Sequence, residues 1–236
     1  MENLRTIIFT TILIIFLYFA YQYFFGDNGD TTLVKLQDAR QPKIISASSL
    51  ASGSSSNYTF SIWFYVNDWN YKYGQSKVIF GRKDQDGGVA PLVEFSPSIN
   101  NIEVTLATYP VTGTDKTGKN HTCTLDDIPL QRWTNLILSL NDRALDLYLD
   151  GKLVRTCLLP GVPKINPASN ISLTPDGGFS GDISNFRYIS DSINPTQAYN
   201  IYKEGFGGSA LSSMFNNYRV KFAFIKHNKE LNSFEL

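Results

Sequence analysis

Residues 134–157, "TNLILSLNDRALDLYLDGKLVRTC", alternate apolar and polar side chains around two turn-forming pairs. Successive side chains of an extended chain point to opposite faces, so Leu136, Leu138 and Leu140, then Leu145, Leu147 and Leu149, share one apolar face. Asp150-Gly151 suits a two-residue type I′ turn, which needs φ > 0 at both positions. Asn141-Asp142 supplies the turn before it. A meander of antiparallel strands with its register pinned is the expectation.

The same alternation recurs upstream. In "FSIWFYV", residues 60–66, Phe60, Ile62, Phe64 and Val66 face one way, and Ser61, Trp63 and Tyr65 face the other. That second face is itself amphipathic, so this strand is expected to be covered on both sides. Short apolar runs at 77–82, 91–96 and 101–109 are separated by Gly, Pro, Asn and Asp clusters, with no long helical period between them. Runs spaced in this way indicate a mainly β chain folded as an antiparallel two-sheet jelly-roll sandwich. The tail "YRVKFAFIKHNKELNSFEL" reads as two further strands around a His-Asn-Lys turn, either closing a sheet or docking elsewhere.

Composition narrows the function classes. Lys+Arg and Asp+Glu both number 21, so no domain-wide basic field exists and nucleic acid is not an expected partner. From Ile7 to Phe25 no side chain is charged. As a helix rising about 1.5 Å per residue, that run reaches about 28 Å, close to the roughly 30 Å hydrocarbon core of a bilayer. Tyr18, Tyr21, Tyr23, Phe24 and Phe25 crowd its C-terminal end, where aromatic rings settle at the headgroup level and where a cleavage site would need small residues. The expected organisation is therefore a single N-terminal transmembrane anchor over 1–25, a polar stalk over 26–43 with one strand-like island at Leu33, Val34 and Leu36, and a jelly-roll domain over 44–236.

"RWTNLILSLNDRALDLYLDGKLVRTC", "GFSGDISNFRYIS" and "NPTQAYNIYKEG" together resemble the laminin G-like branch of the concanavalin A-like jelly rolls. In that family a Trp opens a strand, a strand ends in Tyr-x-Asp-Gly, and a Gly-x-Ile strand leads to a short helix ending in Gly. The matching residues are Trp133, Tyr148, Asp150, Gly151, Gly181, Ile183 and Gly205, and the resemblance covers roughly residues 44–207. It implies a surface module that binds glycan or protein. The Asn-, Ile-, Tyr- and Phe-rich usage, with one anchor and one jelly roll, also resembles membrane-associated minor capsid proteins of large DNA viruses. That second resemblance implies a structural tether between a virion inner membrane and other proteins of a larger assembly, such as the capsid.

No catalytic residue is expected. The Glu-x-Asp-x-x-Glu string with which retaining glucanases of the superfamily hold two carboxyls about 5 Å apart is missing, and Glu94 stands alone in its strand. His121 and His227 lie near no Ser or Cys motif that suggests activation. Asp84 and Asp86 in "KDQDGG" fit two readings, oxygen ligands for calcium, the one cofactor suggested, or a plain turn between strands. Trp69, Tyr71 and Tyr73 can stack on a sugar ring or fill a partner's groove, or can pack down a long loop. Cys123 and Cys157 are a disulfide in an oxidising compartment, contributing about 3 kcal/mol, or two small core residues in a reducing one. Asn57, Asn120 and Asn170 each begin a glycan acceptor triplet, a pattern a chain of this composition also produces by chance.

Overall fold

The computed structural model describes residues 11, 13–18, 30–50, 56–83, 88–110, 119–207, 221–226 and 229–235. The chain divides into residues 1–30 and 31–236. Within the first unit, residues 13–18 are helical and exposed. Most of the expected anchor lies outside the described residues, and among those described no helix is long and apolar enough to cross a membrane.

The second unit is built of two six-stranded sheets. One runs in the order β1 (Asp30–Asp38), β12 (Ser180–Ile189), β3 (Tyr58–Asp68), β8 (Trp133–Asn141), β9 (Ala144–Leu149), β10 (Lys152–Leu158). The other runs β2 (Lys43–Ile45), β11 (Ile171–Leu173), β4 (Lys77–Lys83), β5 (Val89–Phe95), β6 (Ile102–Thr108), β7 (Lys119–Leu125). Between them lies one apolar core that holds Phe60, Ile62, Phe64 and Val66 of β3 and Leu136, Leu138, Leu140, Leu145 and Leu147 of the meander. Phe60 stacks on Phe186 at 5.8 Å and lies 5.2 Å from Phe80, so aromatic rings from both sheets meet at its centre.

Two sequence expectations are corrected here. The supposed stalk contributes β1, because Val34 is buried in the core and Ala39 directly after the strand is sealed. The turn between β8 and β9 sits one residue later than Asn141-Asp142: Asn141 stays paired with Ala144, and Asp142 turns the chain at φ 53°. Asn57 Oδ1 accepts the Asp142 N–H at 2.9 Å, and Arg143 donates to the Leu159 carbonyl at 3.0 and 2.7 Å, which holds that shifted turn. The second turn is Asp150-Gly151, with φ of 50° and 74°. At the C-terminus, β13 (Lys221–Lys226) and β14 (Lys229–Glu235) pair with each other in a two-stranded sheet of their own.

The outer face of the first sheet is covered, as the amphipathic second face of β3 requires. Helix α1 (Pro195–Lys203) starts at a capping box in which Asn194 and Gln197 exchange side-chain-to-backbone hydrogen bonds. It buries Ala198 and Ile201 against Ile137 and Tyr148. Trp63 stacks on Tyr202 at 5.5 Å and Trp133 on Phe206 at 4.8 Å. The Asp150-Gly151 turn fits under this helix only without a side chain, since a Cβ on Gly151 would stand 3.1 Å from Tyr199 Cα.

Cys123 of β7 and Cys157 of β10 form a disulfide, with Cα atoms 6.3 Å apart. It ties an edge of one sheet to an edge of the other, and so constrains the unfolded chain across most of the meander. Reduction of this bond is expected to lower stability by about 3 kcal/mol, read as a shift in urea midpoint with and without dithiothreitol.

Tyr58 is buried in the core, and among the described residues its hydroxyl has no hydrogen-bond partner. Burial pushes its pKa far above the usual phenol value, Arg82 pulls it down and Tyr188 pushes it further up. A group whose folded pKa is raised contributes stability that is complete below its unfolded value, about pH 10, and is lost as pH rises toward the folded one. Stability is therefore expected to fall steeply above about pH 10, and Tyr58→Phe to flatten that limb of an alkaline denaturation profile.

Candidate functional site

One end of the sandwich carries a rim that includes the loops joining β3 to β4, β5 to β6, β7 to β8 and β11 to β12. Hydrogen bonds between loops fix it. Gly74 N–H donates to the Pro97 carbonyl at 2.9 Å, Ile128 N–H to Asn100 O at 2.7 Å, and Gln131 N–H to Val66 O at 2.9 Å. Asn101 Nδ2 donates to Asp126 Oδ1 at 2.7 Å, Tyr71 Oη to Gly177 O at 3.0 Å, and Lys72 Nζ to Asp176 O.

This network separates the three aromatic residues of "NDWNYKYG". Trp69 turns inward, its ring edge-on to Phe95 at 5.6 Å. Tyr71 is half-buried and spent on Gly177. Tyr73 alone of the three projects outward, 60% exposed, on a loop tied by Gly74 to the loop that carries Ile99, 57% exposed. The sequence trio is thus not one stacking platform. Its outward member joins an aliphatic residue that sequence reasoning passed over, because only the fold brings residues 73 and 99 to one rim.

Lys77 lies where Trp69 turns inward. Its side chain is buried, with Nζ 4.3 Å from the Trp69 ring centroid and 3.4 Å from the Pro97 carbonyl oxygen. Burial holds the ammonium pKa below its usual value. A cation facing an aromatic ring recovers only part of its lost hydration. Lys77→Met keeps the apolar stem and removes the charge, so it is expected to raise stability by about 1 kcal/mol, measured as an increased urea midpoint.

Asp84 and Asp86, the candidate calcium ligands, lie outside the described residues. Among the described residues no group of three or more His, Cys, Asp or Glu is placed to hold a metal ion. Glu94 does have a companion: Glu103 stands directly opposite it across β5 and β6. Ser76 donates to Glu94 and Ser96 to Glu103, so each carboxylate is already engaged locally. This juxtaposition was invisible to a motif search along one strand, because register between strands creates it.

The acceptor asparagines differ in surroundings. Asn57 is half-buried; its Oδ1 takes the Asp142 N–H and its Nδ2 donates to Asn141 Oδ1 at 3.3 Å. Asn170 is exposed, with Oδ1 accepting the Ala47 N–H at 3.0 Å. Asn120 is exposed on β7 opposite Ala107, and Thr122 Oγ1 lies 2.8 Å from Thr105 Oγ1 on the neighbouring strand.

Comparisons with known proteins agree with this architecture. A family model described as the concanavalin A-like lectin/glucanases superfamily (Laminin_G_3) matches residues 38–198. Among solved structures, the receptor binding domain of botulinum neurotoxin C/D mosaic serotype superposes with a TM-score of 0.56 at 15% identity, over 77% of this chain and 46% of that one. The botulinum neurotoxin serotype D ligand binding domain in complex with N-acetylneuraminic acid gives 0.52 at 13% identity, over 75% and 49%. The binding domain of botulinum neurotoxin DC in complex with rat synaptotagmin II gives 0.53 at 11% identity, over 74% and 46%. The chain thus spans less than half the length of each. At these identities the likeness is one of fold. No curated protein matches the sequence.

Proposed function

We propose that this chain, which belongs to the concanavalin A-like lectin/glucanases superfamily, is a non-enzymatic recognition module whose binding surface is the loop rim carrying Tyr73 and Ile99. The observation behind this reading is the contrast within the rim. Its loops are cross-tied by hydrogen bonds, yet two apolar side chains stand more than half exposed at their tips. A pre-ordered loop surface loses little entropy on binding, and an outward tyrosine offers a flat apolar face with a polar tip to a sugar ring or a protein groove. The structurally similar toxin domains in complex with N-acetylneuraminic acid and with synaptotagmin II support glycan or protein as the partner class.

The test is binding of the full chain to a glycan array and to ganglioside-bearing vesicles, wild type against a Tyr73→Ser/Ile99→Ser variant. A loss of about tenfold or more with unchanged melting temperature supports the rim. Binding that survives both substitutions places the surface elsewhere. Hydrolysis of a β-glucan reporter that Glu103→Gln abolishes would replace the recognition reading with glycosidase chemistry on the Glu94 and Glu103 pair.

The uncharged run over residues 7–25 favours a second role compatible with the first, a single-pass membrane anchor that tethers the jelly roll to a larger assembly such as the capsid of a large DNA virus. Alkaline carbonate extraction tests it. A full chain that stays with the membrane pellet supports the anchor, and release into the supernatant removes it.

A further inference from the structure

We propose that Asn120 is the N-glycan acceptor of this chain, and that its glycan covers the open half of the β7 edge. The proposal goes beyond the rim reading and does not depend on what the rim binds.

A terminal strand presents unpaired N–H and C=O groups that invite pairing with another chain, and folded proteins guard such edges. The two edges at the disulfide end of the sandwich are guarded unequally. β10 carries a register shift between Leu153 and Arg155 and the charges of Lys152 and Arg155. β7 pairs with β6 without a shift from Leu125 opposite Ile102 to Lys119 opposite Thr108, so its free edge is regular. Its C-terminal half is nonetheless covered: Arg155 donates to the Thr124 carbonyl at 2.5 Å and lies 3.8 Å from Asp126, and Cys123 is bridged to Cys157. Its N-terminal half, from Lys119 to Thr122, has no such cover among the described residues.

Asn120 sits in that half. Cys123 and Leu125 point into the core, so by alternation Asn120, Thr122 and Thr124 point out. Asn120 is exposed, and its side chain makes no hydrogen bond among the described residues. In the transfer, the Asn120 amide nitrogen bonds the anomeric carbon of a polyprenyl-diphosphate-linked oligosaccharide. The carbon–oxygen bond to the diphosphate breaks, the diphosphate leaves with the electron pair, and the amide gives up one proton. The reaction acts on the unfolded chain, so what matters is which glycosylated product can still fold. A glycan is bulky and must remain in water. At Asn57 it would replace a hydrogen of the Nδ2 that donates to Asn141 and push on the amide that locks the β8–β9 turn. At Asn170 the Oδ1 that accepts the Ala47 N–H fixes the direction in which it leaves, and only at Asn120 does it stand on the β7 edge. At Asn120 it displaces nothing. The disulfide points to the same setting, because oxidising compartments are where such bonds persist.

The experiment is an intact mass and a site-resolved peptide map of the full chain, produced in mammalian cells, before and after peptide N-glycosidase. The expected result is glycan at Asn120 with Asn57 bare, loss of one glycan mass in Asn120→Gln, and more self-association of that variant in sedimentation velocity at unchanged melting temperature. A chain with no glycan at any site, or with Asn120 bare while Asn57 or Asn170 is occupied, overturns the proposal. A glycosylated wild type that self-associates no less than Asn120→Gln overturns its edge-covering half.

Discussion

Replacing Gly181 with alanine is expected to cost at least about 4 kcal/mol, a large share of the roughly 5 to 15 kcal/mol by which folded domains are stable. Gly181 opens the straight run of β12, where three segments converge: it pairs with Val66 of β3, and its carbonyl accepts the Ala39 N–H at 2.9 Å. Its φ of 155° is one that side-chain-bearing residues rarely adopt. A Cβ there would overlap the Tyr65 carbonyl oxygen, lying 3.0 Å from its carbon and 3.1 Å from Phe179 Cε2. Neither the carbonyl, held within the sheet, nor the buried Phe179 ring can yield, so β12 would have to lift from β3 and release its ladder. Gly74→Ala is the control. Gly74 also has positive φ, 79°, but a Cβ would meet nothing within 4 Å, so only the backbone strain of about 1 to 2 kcal/mol applies. Equal costs in paired urea titrations would show that conformation, and not the close approach of β3, sets the requirement for glycine.

The parts of the fold that are legible in the sequence are those decided by local pattern. The alternation of β3, β8 and β9 places Phe60, Phe64, Leu138 and Leu147 inside, and Asp150-Gly151 takes the positive φ values that its turn chemistry demands. β1 was harder to see, because a strand that buries Val34 while exposing Leu36 shows no clean period. The first turn slipped by one residue for a similar reason. Asn141-Asp142 and Asp142-Arg143 are comparable turn formers locally, and the choice is made by Asn57 and Leu159, distant in sequence.

The site was less legible than the fold because its geometry is non-local throughout. Nothing in "NDWNYKYG" says that Trp69 will turn in to meet Lys77 while Tyr73 turns out; the Pro97 loop decides both, accepting from Lys77 and from Gly74. Glu103 becomes the companion of Glu94 only through strand register. A useful signal was present in Lys77 itself, a cation placed directly before the apolar run Val78, Ile79 and Phe80 of β4.

Truncating Leu147 to alanine tests the central register of the sandwich. Leu147 is fully buried, opposite Leu138 in β8 on one side and Arg155 in β10 on the other, and its side chain belongs to the core between the sheets. The void left by three lost carbon-bearing groups cannot close easily. β9 is paired on both flanks, and the outer side of the same sheet is pinned at Ile137 and Tyr148 by α1. Where surroundings relax little, Leu→Ala costs fall in the upper part of the roughly 2 to 5 kcal/mol range, so about 4 kcal/mol is expected in chemical denaturation with the disulfide intact. Leu153→Ala, on the exposed β10 edge, is the comparison and should cost less than about 0.5 kcal/mol. A small loss at Leu147 with a large one at Leu153 would mean that β9 and β10 are out of register by one residue, since a shift of one position exchanges the faces of a strand. Such a shift would also carry the Asp150-Gly151 turn away from Tyr199 and Tyr202, so the same variants report whether α1 is seated on that turn.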